Sequence, residues 1–242
     1  MEFIKKITLI AIVFATSVTL FGQKQKKNSL IVKEVQCEGC LDIKQAEQLL
    51  EKNANFQVVE TINWIEYPYK PEVRFKIAYC KNQILLKYYV IEETIMAKRT
   101  VVNASVYKDS AVEFFFSTEQ GDGYYNFEFN CIGTIKASYG EGKKNRALID
   151  PEILKKIKVK SSLGSLPFEE KMGGHQWEIM ITIPKECLIH DEDIRLKGLN
   201  GKANFYKCGD ETAKPHFVTW NPIHTETPNY HQPAYFGNIT FE

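Results

Sequence analysis

Along most of the chain, apolar and polar residues alternate with the period of two that a half-buried strand requires. Val73, Phe75 and Ile77 interleave with Arg74 and Lys76, and β-branched and aromatic residues dominate 84–92 and 112–116. Gly121-Asp122-Gly123 marks a turn, after which the strand pattern resumes over 124–132. Residues 177–183 ahead of Pro184, two apolar stretches within 194–206, and 235–241 add further strands. A helical period appears at Ile43, Ala46, Leu49 and Leu50, with a weaker turn over 151–157. Many short strands and one short N-terminal helix predict an all-β fold. The expected form is an antiparallel β-sandwich or jelly roll in one domain over 30–242.

One strand says more than its fold. Over 125–131 the alternation sets Tyr125, Phe127, Phe129 and Cys131 on one face, with Asn126, Glu128 and Asn130 on the other. Two readings of that second face stay open. It is either a solvated outer surface, or a platform whose amides and carboxylate bond sugar hydroxyls beside aromatic plates.

Charge and cysteine content set the setting. Lys plus Arg number 31 against 30 Asp plus Glu, and a formal charge of +1 gives no electrostatic basis for holding nucleic acid. Lys5 and Lys6 precede an apolar run over 7–21 that is short for a bilayer span, and Gly22 supplies a small residue for cleavage ahead of Gln23. The expectation is a signal peptide over 1–22, a flexible polar lead-in over 23–29, and a mature chain with no transmembrane segment, exported to the periplasm or the medium. Export exposes the six cysteines to oxidants, so some are expected to pair. Cys37-Glu38-Gly39-Cys40 is the first candidate for a structural disulfide, ahead of a redox or zinc pair.

Longer motifs narrow the function. Asn63-Trp64, Tyr67-Pro68-Tyr69-Lys70-Pro71-Glu72-Val73, Tyr107-Lys108-Asp109-Ser110-Ala111-Val112-Glu113-Phe114-Phe115, 124–133, Asn204-Phe205-Tyr206-Lys207-Cys208-Gly209-Asp210, and Pro215-His216-Phe217 through Trp220 to Phe236-Gly237 occur in that order. Together they resemble the family 9-like carbohydrate-binding modules of secreted bacterial proteins. The resemblance implies a noncatalytic sandwich that clamps a terminal sugar between aromatic rings, with structural calcium nearby. It also implies Tyr107 as a stacking ring and Glu113 as a hydroxyl-binding carboxylate. Tyr107 departs from the tryptophan of better-studied relatives, and Ala111 departs from a cysteine, which leaves the pairing of Cys131 or Cys208 open. Asn126, Glu128 and Asn130 complete the expected ligand surface, with Arg146, Tyr206 and Trp220 as outer contributors.

Trp64 and Trp177 are expected in the core. His216, His224 and His231 could ligate a metal or simply hydrogen-bond, and the acidic turn Asp191-Glu192-Asp193 could bind calcium or be solvated. The favoured function is a secreted noncatalytic carbohydrate-binding protein. Two other classes stay open: a glycoside hydrolase using paired carboxylates such as Glu113 and Glu128, and a haem-binding redox domain with Met96, Met172 or Met180 as ligands.

Overall fold

A computed structural model describes residues 27–39, 41–191 and 193–242. The expected signal peptide, Cys40 and Glu192 lie outside the described residues. Two sheets face each other. The larger runs β1 (Ser29–Val32), β14 (Gly237–Phe241), β12 (Asn200–Cys208), β6 (Ala111–Ser117), β7 (Tyr124–Asn130), β8 (Ile135–Gly140) and β9 (Ala147–Leu148). On it, β13 (Phe217–Thr219) pairs with both β12 and β3 (Thr61–Ile62). The smaller sheet runs β10 (Lys158–Ser161), β11 (Phe168–Pro184), β5 (Gln83–Ala97), β4 (Glu72–Cys80) and β2 (Gln57–Val58). Its strands are antiparallel, as are those of the larger sheet except β1, which runs parallel to β14.

The alternation read from the sequence places one face of every central strand in the space between the sheets. Phe114, Phe116, Phe127 and Phe129 of the larger sheet meet Phe75, Tyr88 and Trp177 of the smaller in one buried cluster. Phe75 and Phe205 close the sandwich with ring centroids 3.9 Å apart. β5 and β11 run well past the stretches expected from their sequence. The added part of β11, 168–176, is mostly solvent-facing and carries Gly173-Gly174, so pairing with β5 rather than apolar alternation makes it a strand.

Helix α1 (Ile43–Asn53) starts at a capping box: Asp42 accepts from the Lys44 and Gln45 amides at 2.8 Å, and Gln45 accepts from the Asp42 amide at 3.0 Å. Its buried Ala46 and Leu50 cover Ala78, Leu85 and Met180 on the outer face of the smaller sheet. A second short helix, α2 (Pro151–Leu154), is capped by Asp150. Cys37 joins the same cluster and is bonded to Cys80 at the end of β4, with Cα atoms 6.1 Å apart. The expected bridge within Cys37–Cys40 is therefore corrected, because packing brings Cys37 onto β4 at a separation a disulfide fits. Cys131, Cys187 and Cys208 are buried thiols. The end of the expected lead-in is pinned: Asn28 donates to the Asn221 side chain at 2.8 Å and to the Trp220 carbonyl at 2.6 Å, and Ser29 opens β1.

Candidate functional site: a polar row beneath the C-terminal loops

The second face of β7 is not solvated. All seven of its residues are buried, because the segments before β4 and after β12 fold over this side of the larger sheet. Trp64, Phe115, Tyr124, Tyr206, Tyr230 and Phe236 form the apolar part of that cover. Of the two readings of Asn126, Glu128 and Asn130, the exposed surface is excluded.

Register then sets the polar chemistry. Tyr206 pairs with Glu113, Glu113 with Glu128, and Glu128 with Lys136, so four neighbouring strands carry one continuous row across the sheet. Side chains opposite one another on antiparallel strands lie within direct reach. Lys136 Nζ sits 3.1 Å from Glu128 Oε1, and Asn126 donates to the same oxygen at 2.7 Å. Glu113 accepts from the Cys208 thiol at 3.2 Å.

Above this row is a cavity of about 300 Å³. Glu113, Glu128 and Lys136 form its floor, Tyr107 and Asp210 one wall, and Phe217 with the loop Pro228 to His231 the other. Tyr107 is presented by a single 3₁₀ turn, Val106–Lys108, and Lys136 Nζ lies 4.8 Å from the centre of its ring. Its carbonyl accepts from the Asp210 amide at 3.2 Å, tying the turn to the end of β12.

Burial dominates the electrostatics. It raises the Glu113 carboxyl well above the usual range, and the neighbouring Glu128 charge adds to the effect. Glu128 is raised by burial too, against the pull of Lys136 and its hydrogen bond from Asn126. Burial, with help from the charges of Glu128 and Glu211, moves Asp210 up to about 7. His231 is pushed down to about 3 by burial and by Arg146, Lys136 and Lys143, so it is neutral at physiological pH. Its Nδ1 hydrogen-bonds the Tyr124 hydroxyl at 2.8 Å.

Of the residues expected from sequence, Tyr107, Glu113 and Glu128 meet at this cavity, and the other five stand elsewhere. Asn126 lies beneath it as a bridge, donating to Glu128 and accepting from Ser138 at 2.5 Å and from Arg146 at 2.8 Å. Arg146 is spent on its own strands: it donates to the carbonyls of Tyr124, Gly140 and Gly142, and its guanidinium lies 4.2 Å from the centre of the Tyr124 ring. Asn130 points to a separate knot, donating to Asp109 at 2.9 Å and to the Arg99 carbonyl at 2.8 Å. Through Asp109 it braces the turn that carries Tyr107. Tyr206 is fully buried and stacks on Tyr230 at 4.1 Å, one layer behind the cavity wall. Trp220 is core, packed on Phe205 and against Gly237, where an added Cβ would come within 2.5 Å of the indole. Trp64 and Trp177 are buried as expected.

Sequence reading missed Lys136, Cys208, Asp210, Phe217 and Asn229. Cys208, Asp210 and Phe217 sat inside motifs already noticed, and Lys136 carried a signal only through its register opposite Glu128. The three histidines do not converge. His216 is buried against Lys207 at 2.8 Å, His231 lines the cavity, and His224 packs on Tyr235. In the acidic turn Asp191 is buried, and its two oxygens accept from the Thr118 and Tyr125 hydroxyls at 2.7 and 2.6 Å. Among the described residues, no three His, Cys, Asp or Glu side chains group as metal ligands, and no helix is long and apolar enough to cross a membrane.

Comparison with known proteins places this architecture. A candidate carbohydrate-binding protein from Bacteroides uniformis ATCC 8492 is 41% identical over 90% of this chain and all of its own, with a TM-score of 0.86. Two structures of a family 9 carbohydrate-binding module from Caldicellulosiruptor kristjanssonii share the fold at far lower identity. The cellotriose complex is 12% identical with a TM-score of 0.55, covering 89% of this chain and 94% of its own; the glucose complex is 13% identical at 0.51, covering 89% and 96%. No curated protein is similar enough to match. The family model described as carbohydrate-binding family 9 matches residues 44–241, and the chain belongs to that family.

Proposed function

We propose that this protein is an exported, noncatalytic module that binds one saccharide ring in the cavity above the Glu113–Glu128–Lys136 row. The observation that carries the reading is the enclosure of that row beside Tyr107 in about 300 Å³, a space at the small-ligand end of binding sites. A sugar offers an apolar ring face and a rim of hydroxyls. Tyr107 supplies a plate for the first, while Glu113, Glu128 and Lys136 supply hydrogen bonds for the second. The structural relatives bind glucose and cellotriose, which makes these the first ligands to try. The Cys37–Cys80 bridge supports export, since such bonds persist in oxidising compartments.

A hydrolase reading gains nothing from the geometry. Glu113 and Glu128 sit side by side on one floor, whereas glycoside cleavage needs carboxyls on the two sides of the scissile bond. A glycan array on the mature protein, followed by calorimetry, is the test. The expected affinity is on the order of −4 to −8 kcal/mol, or ~mM to ~μM, because hydroxyl contacts largely replace contacts with water. Release of reducing sugar from a bound polysaccharide would overturn the noncatalytic reading.

A further inference from the structure

Glu113 and Glu128 are neighbours in one row, yet the fold treats them differently. Glu128 has a lysine ammonium at 3.1 Å and an amide donor at 2.7 Å. Glu113 is 3% exposed, has no cation within ion-pair distance, and has one oxygen on a thiol. Among the described residues its other oxygen has no partner, and the side chain lines the cavity. A carboxylate in such a place loses most of its hydration without gaining a counter-charge at ion-pair distance, and taking up a proton removes the cost.

The groups facing Glu113 divide: burial, the largest influence, acts with Glu128 and Asp210 to favour the proton, while the hydrogen bond from the Cys208 thiol and the charge of Lys136 oppose it. Lys136 on β8 is engaged with Glu128 on β7 at 3.1 Å rather than with Glu113, and Asp210 after β12 is a further acid on the cavity wall. Burial raises Tyr230 and the Cys208 thiol well above their usual ranges, so both are neutral, and His231 brings no charge because burial keeps it unprotonated. Lys143 stands exposed at the rim.

We infer that Glu113 meets the sugar as a neutral carboxylic acid and donates its proton in a hydrogen bond to a sugar oxygen, which makes it the specificity-determining donor of the cavity. This rests on the sugar-binding reading above and replaces the sequence expectation of a carboxylate that accepts from a hydroxyl. The physical reason is its burial without a cation. The ligand class selected is a neutral sugar presenting an acceptor oxygen at this point. A sugar presenting an ammonium there would have to strip the proton first.

Two measurements test the inference separately from the function. The first is infrared spectroscopy of the free protein at about pH 7. A protonated-carboxyl band that disappears in Glu113→Gln is expected, and its absence overturns the inference whether or not any sugar binds. The second is calorimetry with D-glucose and cellotriose from about pH 6 to about pH 10. Only the protonated fraction binds, so the Kd should rise by about tenfold per pH unit once the pH passes the Glu113 value. Glu113→Gln, which keeps a donor, should bind more tightly than Glu113→Ala by about threefold or more and lose the alkaline dependence. Asp210→Asn should keep it. A wild-type profile that stays flat through the pH at which the infrared band is lost, or tighter binding of D-glucosamine than of D-glucose, overturns the donor role. If neither sugar nor any glycan on the array binds while the infrared band is present, the protonation stands and the sugar-binding reading falls.

Discussion

The two faces of the larger sheet are made by the same strands and are both buried, but they are built from opposite chemistry. Toward the smaller sheet, β6, β7 and β12 present Phe114, Phe116, Phe127, Phe129 and Phe205, which need no partners beyond each other. Toward the loops, the same strands present Glu113, Asn126, Glu128 and Cys208, each hydrogen-bonded to a named neighbour. The inner face is insensitive to which apolar group fills it, provided volume is kept. The outer face is specified atom by atom, since each buried polar group left without a partner costs about 1–3 kcal/mol. A strand with period two can therefore carry stability and recognition at once, provided a second layer covers the polar side.

The largest test removes the inner face. Phe114→Ala deletes a fully buried ring that stacks on Phe116 and Phe205, with centroids 5.6 and 5.0 Å away. The expected loss is about 3–5 kcal/mol of stability, measured by urea unfolding with an unchanged slope. Sugar affinity should hold wherever the protein is still folded. A variant that stays stable but loses affinity would break the separation of the two faces.

Next is the brace beneath the polar row. Arg146→Ala leaves the Asn126 oxygen with Ser138 alone and frees the carbonyls of Tyr124 and Gly140. Stability should fall by about 2–3 kcal/mol. Affinity should fall too, because Asn126 then no longer holds Glu128 in place. Arg146→Lys should restore little, since a point charge cannot reproduce the planar fork.

How much of this was legible in the sequence depends on the face. The inner face could be read from Phe127 and Phe129 alternating with polar residues, because hydrophobic burial follows period directly. The outer face could not, since Asn126, Glu128 and Asn130 look identical in sequence to a solvated edge of a sandwich. Their separate roles come from register, which sets Glu128 opposite Lys136 and Asn130 opposite Ala111, and from loops distant in sequence. Trp220 misled for a related reason. An Asn-Pro neighbour signals a loop, but a loop laid over a sheet can bury its tryptophan as deeply as a strand does. The Cys37–Cys80 bridge crosses 43 residues of sequence, and spacing favoured the nearer cysteine.

The pH dependence of stability sharpens the comparison, because the carboxyls raised by burial lie on the polar side. Asp210 moves from 3.8 to about 7 on folding. The folded state holds the proton more tightly than the unfolded chain, so the contribution is fully present below about pH 4. It is lost as the pH rises to about 7 and is constant above. Allowing for solvent at the cavity wall, the span is on the order of 2 kcal/mol. Asp210→Asn should flatten that part of a Tm-against-pH curve and leave the protein more stable than wild type at about pH 8. An unchanged slope would mean that water reaches Asp210 freely and the wall is open.

The smallest effect expected on stability, and the one most specific to recognition, is at Tyr107. Its ring is half-buried at the cavity wall with the Lys136 ammonium over one face, while its backbone carbonyl does the work of joining the turn to Asp210. Tyr107→Ala keeps that carbonyl and removes only the ring, so stability should change by less than about 1 kcal/mol, the scale of the lost cation–π contact. Binding should lose the stacking contribution of about 0.5–1.5 kcal/mol beyond the area lost, a fall in affinity of about twofold to twelvefold. Tyr107→Trp supplies a larger plate and should bind more tightly than wild type. Calorimetry with glucose and cellotriose on all three proteins decides it. If Tyr107→Ala and Tyr107→Trp both match the wild type while folded, the sugar does not stack on this ring, and the recognition assigned to this wall belongs to Phe217 and the Pro228 to His231 loop across the cavity.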